Sequence, residues 1–273
     1  MSVWEAILLG IVQGITEFVP VSSSGHLLLI PDLFNLTTPN LLLIAVSHIA
    51  TILAVIIYFW RDLWQILLAV IEAVRQRDWM GTTEARLGWF IAVGSIPAAV
   101  VGFTFKDHLD AIFSEPIYAA FFLLGTAVIL VTGEQLLARH EGHKTPAEMG
   151  WTDAIVIGLF QTLALFPGIS RSGSTIMAGL LRGLDRYTAA RYSFLLSVPI
   201  TAGAGLFEAR ELLHVDWSSA EMMPVIVTFI VSGVVGITCI HFLLEWLKRR
   251  SLYGFAIYCA SFSLIYLVVA FLG

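Results

Sequence analysis

Two passages of this chain repeat each other at a constant offset of 148 residues. The first covers 10–26 and the second covers 158–175, and each is an apolar run interrupted by proline, glycine and serine. Short, interrupted apolar segments at matching positions of two halves indicate a binding site inside a membrane. Between positions 6 and 25, eight of the twenty residues recur unchanged in the second passage: Ala6, Ile7, Gly10, Gln13, Phe18, Ser22, Ser24 and Gly25.

The composition indicates an all-α integral membrane protein. Hydrophobic residues make up 58% of the chain and charged residues only 13%, whereas soluble domains carry about 25% charged residues. With so little loop sequence, residues 1–273 are expected to form a single membrane domain. The net charge of −5 argues against a nucleic-acid partner, because such partners require a basic surface.

The apolar segments differ in length. A helix needs about 20 apolar residues to cross the hydrocarbon. The two repeated passages, near 4–30 and 151–184, are interrupted, and we expect each to form a re-entrant helical hairpin, because irregular backbone is tolerated there only where protein or a wet cavity surrounds it. Six other segments are predicted to cross as transmembrane helices: 41–60, 86–105, 117–138, 188–210, 223–246 and 252–272.

The order of these segments predicts an inverted-topology repeat. Three spans separate the two hairpins, and because three is odd, the second hairpin enters from the opposite face of the membrane. Repeat 1 covers about 1–140 and repeat 2 about 150–273. The serine- and glycine-rich loops of both hairpins are then expected to meet near the middle of the membrane.

The cationic residues orient this topology. Only Lys106 and Arg210 fall on the side of the N-terminus, and Arg171 lies inside a hairpin. The positive-inside rule makes the other side cytoplasmic, so both termini are expected outside the plasma (inner) membrane. Twelve cationic residues fall on that cytoplasmic side: Arg61, Arg75, Arg77, Arg86, Arg139, Lys144, Arg182, Arg186, Arg191, Lys248, Arg249 and Arg250.

The first loop contains several groups able to carry chemistry. Gln13 and Glu17 are four residues apart and share one face of a helix. A carboxylate at membrane depth is costly and usually serves function, although Glu17 at the membrane interface remains an alternative. Ser22 and Ser23 lie between this carboxylate and His26. A serine triplet alone is typical of a polar turn, but beside Glu17 and His26 in a buried loop it favours a site.

The second loop carries a single charge. Arg171 stands in an otherwise uncharged stretch, and its guanidinium matches phosphate oxygens. Ser170, Ser172 and Thr175 flank it, and a helix beginning near Thr175 adds its positive end. This pattern is typical of an oxyanion site. The alternative is a purely structural pair between Arg171 and Glu17, and the two interpretations coexist if Glu17 also binds a metal.

Together the loops favour phosphoryl transfer, which depends on charge neutralisation and positioning. Glu17 is able to bind Mg²⁺ or Ca²⁺, and His26 is able to transfer a proton near neutral pH.

Other polar residues in the apolar segments are weaker candidates. We interpret His48 and His241 as packing or interface residues, and Glu134 as an interface residue.

Both motifs resemble the undecaprenyl-diphosphate phosphatase family, which is linked to bacitracin resistance. The resemblance rests on the acidic and serine-rich motif over 13–26 and the motif Pro-Gly-Ile-Ser-Arg-Ser-Gly-Ser-Thr over 167–175. It covers essentially the whole chain. Two long motifs in the right order are specific, whereas either serine-rich segment alone is not.

The resemblance implies hydrolysis of undecaprenyl diphosphate to the monophosphate and phosphate, which recycles the lipid carrier for peptidoglycan and other envelope polymers. It also implies a divalent cation, a polyprenyl diphosphate substrate lying in membrane lipid, and a site open to the outer, periplasmic face. The oligomeric state stays open, and a homodimer is one of the states that the sequence allows.

Carried over residue by residue, the resemblance assigns roles to both loops. It makes Glu17, Ser23, His26 and Arg171 catalytic. Glu17 and Gln13 fall on the acidic metal-binding motif, whose first position is Gln here, so one carboxylate fewer is present for a metal. The phosphate-binding positions are Ser22, Ser170, Arg171, Ser172 and Thr175.

The order of chemical events stays open at this point. The nucleophile is either Ser23 assisted by His26, or a water positioned by Glu17 or His26. The main alternative function is a transporter or flippase of a polyprenyl phosphate, because inverted repeats with broken helices suit alternating access. The group of Glu17, Ser23 and His26 favours hydrolysis, since moving a headgroup needs binding but no hydrolytic group.

Overall fold

The computed structural model describes residues 1–105, 108–109, 115–137, 144–212 and 219–272, with the backbone alone for 204, 206–212 and 219–221. Over these residues the protein is helical, apart from loops and a single β-bridge between Lys144 and Leu184. Eleven α-helices follow one another in the described residues: α1 (Val3–Thr16), α2 (Ser23–Phe34), α3 (Leu41–Tyr58), α4 (Trp60–Gln76), α5 (Thr83–Thr104), α6 (Pro116–Leu137), α7 (Trp151–Gln161), α8 (Arg171–Leu181), α9 (Arg186–Leu212), α10 (Ser219–Leu247) and α11 (Tyr253–Leu272).

Five of the described helices are long and apolar enough to cross a membrane. The protein is therefore an all-α, multi-pass membrane protein. These helices are α3, α5, α6, α10 from Met222 onward, and α11. They confirm apolar helices of spanning length at the predicted 41–60, 86–105, 117–138, 223–246 and 252–272.

The sixth predicted span, 188–210, lies within the single helix α9, whose side chains from 206 onward are outside the described residues.

The two repeated passages form short helices separated by breaks. Helix α1 has 14 residues and α7 has 11, and both are shorter than the roughly 20 residues needed to span the hydrocarbon. A break over 17–22 separates α1 from α2. A second break over 162–170 separates α7 from α8 and begins with a turn of 3-10 helix, Thr162–Leu165. Each passage therefore places non-helical backbone, 17–22 and 166–170, among the longer helices.

The two halves of the chain interlock. Helix α1 packs along α10, and α7 packs along α5, so each short helix lies against a long helix of the other half. Likewise α3 contacts α10 and α9 contacts α5. The first long helices of the halves, α3 and α9, also contact each other, as do the last ones, α6 and α11. Neither half has a core of its own.

Helices α5 and α7 approach each other through glycine. A Cβ atom added at Gly158 would lie 2.4 Å from the carbonyl oxygen of Gly94. Small residues at such contacts let two helix backbones come together inside a membrane. The contact lies in the last turn of α7, which ends at Gln161 just before the second break.

Glu134 has protein partners that the sequence did not predict. It is buried, and Arg186 donates to both of its carboxylate oxygens, while the backbone N–H of Leu252 donates at 2.8 Å. Donors from two other parts of the chain make burial of this carboxylate favourable, and its expected place at the membrane interface stays a prediction. Of the cationic residues used for orientation, Lys106, Arg139 and the Arg210 side chain lie outside the described residues.

The glycine contact generates a prediction. Gly158→Ala should lower the thermal unfolding temperature in detergent, because the added methyl meets backbone, and overpacking of this kind costs about 1–3 kcal/mol. Gly254→Ala is the matched control, since a Cβ at Gly254 has no atom within 4 Å and alanine is the better helix former. Equal shifts for both variants would contradict the close α5–α7 contact.

Candidate active site

The first break is organised around the carboxylate of Glu17. Gln13 lies one turn earlier and donates from Nε2 to Oε2 of Glu17 at 3.2 Å. The hydroxyl of Ser23 donates to the same oxygen at 2.7 Å. Ser22, the last residue of the break, has a φ of 72°. Non-glycine residues rarely adopt this conformation, and it is frequent at functional sites. The break therefore turns the Ser23 hydroxyl back onto Glu17.

Both breaks end in the same capping arrangement. The side chain of Ser22 accepts from the N–H of Gly25 at 3.3 Å, and the side chain of Ser170 accepts from the N–H of Gly173 at 3.1 Å. Each capping serine also bonds the serine two residues further on. The helices α2 and α8 thus begin alike, with their N-terminal dipole ends at the two breaks.

The two breaks touch. A Cβ atom added at Gly25 would lie 3.1 Å from Cα of Gly168. Gly168 has a φ of +96°, and a Cβ there would lie 2.1 Å from the carbonyl oxygen of Ala119, so only glycine fits. Thr126 of α6 holds this turn: its hydroxyl donates to the Gly168 carbonyl at 2.7 Å and accepts from the Ser170 N–H at 2.9 Å.

The contact between the breaks brings Arg171 to Glu17. Nη2 of Arg171 donates to Oε1 of Glu17 at 2.8 Å, across 154 residues of sequence. The two side chains are 15% and 10% exposed. Breaking a buried pair by removing one partner costs about 3–5 kcal/mol. Of the four groups predicted to converge, the structure joins the guanidinium, the carboxylate and the Ser23 hydroxyl, whereas His26 hydrogen-bonds Ser22 and Tyr258 instead.

The Glu17–Arg171 pair leaves donor capacity unused. Within the part of the chain that the structure describes, the buried Nη1 of Arg171 has no hydrogen-bond partner. A guanidinium offers five N–H donors in a fixed fork, and one arm already binds Glu17. The other arm is available for an anionic oxygen at the N-terminal end of α8.

His26 makes contacts that the sequence does not predict. Its Nδ1 lies 2.8 Å from the carbonyl oxygen of Ser22, and its Nε2 lies 2.8 Å from the hydroxyl of Tyr258 on α11. A carbonyl only accepts, so Nδ1 carries the hydrogen and, in the neutral ring, the tyrosine donates to Nε2. Phe262 stacks on the imidazole with ring centres 4.9 Å apart. These hydrogen bonds join His26 to the loop backbone and to α11, rather than to Glu17 or Ser23.

The remaining predicted phosphate-binding residues support the loop. The hydroxyl of Thr175 donates to the carbonyl of Arg171 at 2.8 Å and bonds Ser193 at 2.6 Å. The hydroxyls of Ser170 and Ser172 lie 3.2 Å apart. All three predicted residues are buried. In this structure their side chains hold the conformation that presents Arg171.

His48, for which the sequence indicates a packing or interface role, lies at the site. Its Nε2 is 3.9 Å from Oε2 of Glu17, and its Nδ1 lies 3.0 Å from the carbonyl oxygen of Ile44. Tyr258 and Thr126 are also contacts that sequence reasoning missed. The one available signal was a cluster of polar residues, Ser47, His48 and Thr51, within an otherwise apolar span.

Comparison with known proteins identifies the family. Residues 6–265 match the family described as bacitracin resistance protein BacA. The chain belongs to this family. It is 40% identical over 275 residues to undecaprenyl-diphosphatase of Pelodictyon phaeoclathratiforme, covering 98% of each chain. It is 43% identical over 256 residues to the protein of that name from Chlorobaculum tepidum, covering 92% of this chain and 91% of the relative.

A third relative, undecaprenyl-diphosphatase of Myxococcus xanthus, is 40% identical over 269 residues, covering 98% of this chain and 89% of the relative. Both predicted motifs lie inside the region that matches the BacA family. The resemblance stated from the motifs is therefore confirmed at the level of the family.

The donor atoms beside Glu17 fit a divalent cation. Among the residues that the structure describes, no cluster of three or more His, Cys, Asp or Glu could hold a metal. Mg²⁺, however, is usually bound by one or two carboxylates, with waters and substrate phosphates as the other ligands. Glu17 is such a carboxylate. Beside it, Oε1 of Gln13 is buried and has no partner in the described structure, which leaves a second oxygen for a cation.

The anchoring of the second break can be tested locally. Thr126→Val removes the hydroxyl that bonds Gly168 and Ser170, and leaving buried backbone groups unpaired costs about 1–3 kcal/mol. We expect faster hydrogen–deuterium exchange over 168–174. Thr132→Val on the same helix is the control, because that hydroxyl bonds only Val128 of its own helix. Unchanged exchange in Thr126→Val would show that this anchor is unimportant.

Proposed function

We propose that this chain hydrolyses undecaprenyl diphosphate to undecaprenyl phosphate and inorganic phosphate, and so recycles the lipid carrier for peptidoglycan and other envelope polymers. Membership of the BacA family and relatives named undecaprenyl-diphosphatase support this function. The structural observation that carries it is the Ser23 hydroxyl on the Glu17 carboxylate, beside a guanidinium with an unused arm. A transporter would need the guanidinium but not the paired hydroxyl.

Arg171 is the proposed diphosphate ligand. Its unpaired Nη1 and the backbone N–H groups at the start of α8 donate to phosphate oxygens, and the helix N-terminus adds its positive dipole. Ser22, Ser170, Ser172 and Thr175 shape the surrounding loops. Positioning and charge neutralisation of this kind supply most of the catalysis in phosphoryl transfer.

Ser23 is the proposed nucleophile. Its oxygen forms a bond to the terminal phosphorus, its proton passes to Glu17, and the bond from that phosphorus to the bridging oxygen breaks, which releases undecaprenyl phosphate. A water then attacks the phosphoserine, and inorganic phosphate leaves as Ser23 regains a proton. Glu17 is the proposed proton acceptor because it accepts the Ser23 hydrogen bond at 2.7 Å.

His26 has a positioning role in this mechanism. It binds the carbonyl of Ser22, the residue before the nucleophile, and Tyr258 fixes the other side of the ring. A divalent cation, Mg²⁺ or Ca²⁺, held by Glu17 and Gln13 would neutralise charge on the diphosphate.

The isoprenoid tail is proposed to leave the site between α1 and α2. A crevice of about 30 Å³ lies there, lined by side chains that include Leu8, Val12, Leu27 and Ile30, and it reaches His26. A crevice of this size marks where the C55 chain would leave the site, and the chain itself would lie in the surrounding lipid.

We propose six transmembrane helices and two re-entrant hairpins in an inverted-topology repeat, with repeat 1 over about 1–140 and repeat 2 over about 150–273. The reciprocal packing of α1 on α10 and α7 on α5 supports this arrangement, as do the matching caps at Ser22 and Ser170. The distribution of the cationic residues supports both termini outside, with the site open to the outer face. A homodimer remains compatible with this arrangement.

Hydrolysis is tested with the purified protein in detergent. Phosphate release from a polyprenyl diphosphate should require a divalent cation and be suppressed by EDTA. Arg171→Ala should lower the rate about a thousand-fold, as loss of a catalytic arginine does in phosphoryl transfer. Arg75→Ala is the control, because its side chain is 81% exposed on α4. Wild-type protein that releases no phosphate with any metal would instead favour transport.

The nucleophile is tested separately. Ser23→Ala should abolish turnover, whereas Ser24→Ala, one residue along the same helix, should retain most of it. A phosphorylated Ser23 should be trapped by rapid quenching and located by mass spectrometry. Ser23→Ala that still releases phosphate containing solvent ¹⁸O would assign the attack to water.

A further inference from the structure

The Glu17 carboxylate has two different sides. Oε1 binds Arg171 at 2.8 Å. Oε2 faces Ser23 at 2.7 Å, the Gln13 amide at 3.2 Å and Nε2 of His48 at 3.9 Å. The positive charge of the guanidinium is thus confined to one oxygen. The other oxygen accepts hydrogen bonds from a hydroxyl and an amide and faces an imidazole.

His48 presents a lone pair to this second oxygen. Its Nδ1 lies 3.0 Å from the Ile44 carbonyl, which only accepts, so Nδ1 carries the hydrogen and Nε2 of the neutral ring is bare. A separation of 3.9 Å from Oε2 is too long for a hydrogen bond. In the neutral ring an acceptor therefore faces the carboxylate across a gap that a cation could occupy. Metal-binding histidines commonly donate their other N–H to a backbone carbonyl in this way.

Gln13 supplies an independent observation. The residue is 0% exposed, and its Oε1 has no partner among the described residues. A buried acceptor without a partner costs about 1–3 kcal/mol. Turning the amide over exchanges its oxygen and nitrogen, which places Oε1 where Nε2 now lies, 3.2 Å from Oε2 of Glu17. A cation beside Oε2 would bind this oxygen, in place of the hydrogen bond that Nε2 now donates.

We propose that His48 is a ligand of the divalent cation, through Nε2, together with Oε2 of Glu17 and Oε1 of Gln13. This assignment rests on the proposed metal-dependent hydrolysis and adds a nitrogen ligand to it. Waters and the diphosphate complete the coordination. Glu17 then joins two positive groups, with Arg171 on one oxygen and the metal on the other, so both act on the same phosphate group.

The nitrogen ligand has a consequence for metal preference. Mg²⁺ and Ca²⁺ are hard cations that take oxygen ligands, whereas imidazole suits transition metals better. Mn²⁺ accepts both ligand types. We therefore expect this site to bind Mn²⁺ more tightly than Mg²⁺ or Ca²⁺, with His48 responsible for the difference.

The test uses full-length protein in detergent with Mn²⁺ alone as the probe. Pulsed electron paramagnetic resonance should show coupling of bound Mn²⁺ to an imidazole ¹⁴N in the wild type. His48→Gln should lose this coupling, and His48→Leu should weaken Mn²⁺ binding at least about tenfold, with a smaller effect on Mg²⁺. His241→Gln is the control, since that ring bonds Tyr58 outside the site. Thermal unfolding without metal checks that every variant folds.

The outcomes separate this proposal from the proposed function. In one outcome, wild-type protein binds Mn²⁺ without ¹⁴N coupling and loses this binding in Glu17→Gln. That result would overturn the role of His48 and leave metal-dependent hydrolysis in place. Coupling that persists in His48→Gln would overturn it as well. Wild-type protein that hydrolyses the substrate but binds no Mn²⁺ would remove the metal site and leave the hydrolase.

Discussion

The ion pair between Glu17 and Arg171 is the interaction on which the site depends. Each charge alone would be costly to bury, because the membrane interior offers no water to solvate it. Together, and with Ser23 and Gln13 donating to the carboxylate, the charges are paired and hydrogen-bonded. The pair joins residues 154 positions apart, so it forms only when the two breaks meet.

The breaks can meet only if their own backbone is satisfied. Non-helical backbone among apolar helices carries polar groups that need partners. Thr126 of α6 binds Gly168 and Ser170 in the second break, and Cys259 of α11 contacts the carbonyl of Pro20 in the first at 3.8 Å. Each break is thus supported by the last helix of the opposite half. This exchange is why neither half could build the site alone.

The structure also explains why the same residues serve stability and chemistry. The sequence left open whether Arg171 and Glu17 form a structural pair or a catalytic one. The geometry allows both, because one arm of the guanidinium binds Glu17 while Nη1 has no partner in the described structure. The pair holds the guanidinium against the carboxylate that also accepts the Ser23 hydroxyl. A group that is already held in place loses little entropy when substrate arrives.

Much of the architecture could be predicted from local features. Apolar length predicts the five described spans, and proline and glycine predict the breaks, because these signals act over a few residues. The repeated motifs also predict the convergence of Glu17, Ser23 and Arg171. The burial of Glu134 was not predictable, since its donors Arg186 and Leu252 come from distant parts of the chain.

The residues of the site also divide into those that the sequence predicts and those that only the tertiary structure brings there. Residue types and spacing already indicate a carboxylate, a hydroxyl and a guanidinium at two breaks among apolar helices, because a lone charge in an apolar stretch is too costly to be accidental. Only the packing of α3 and α11 against those breaks decides that His48 faces Glu17 and that Tyr258 binds His26. Such contacts depend on how helices rotate and pack against each other, and helical periodicity along one segment carries no information about the neighbour that it will meet.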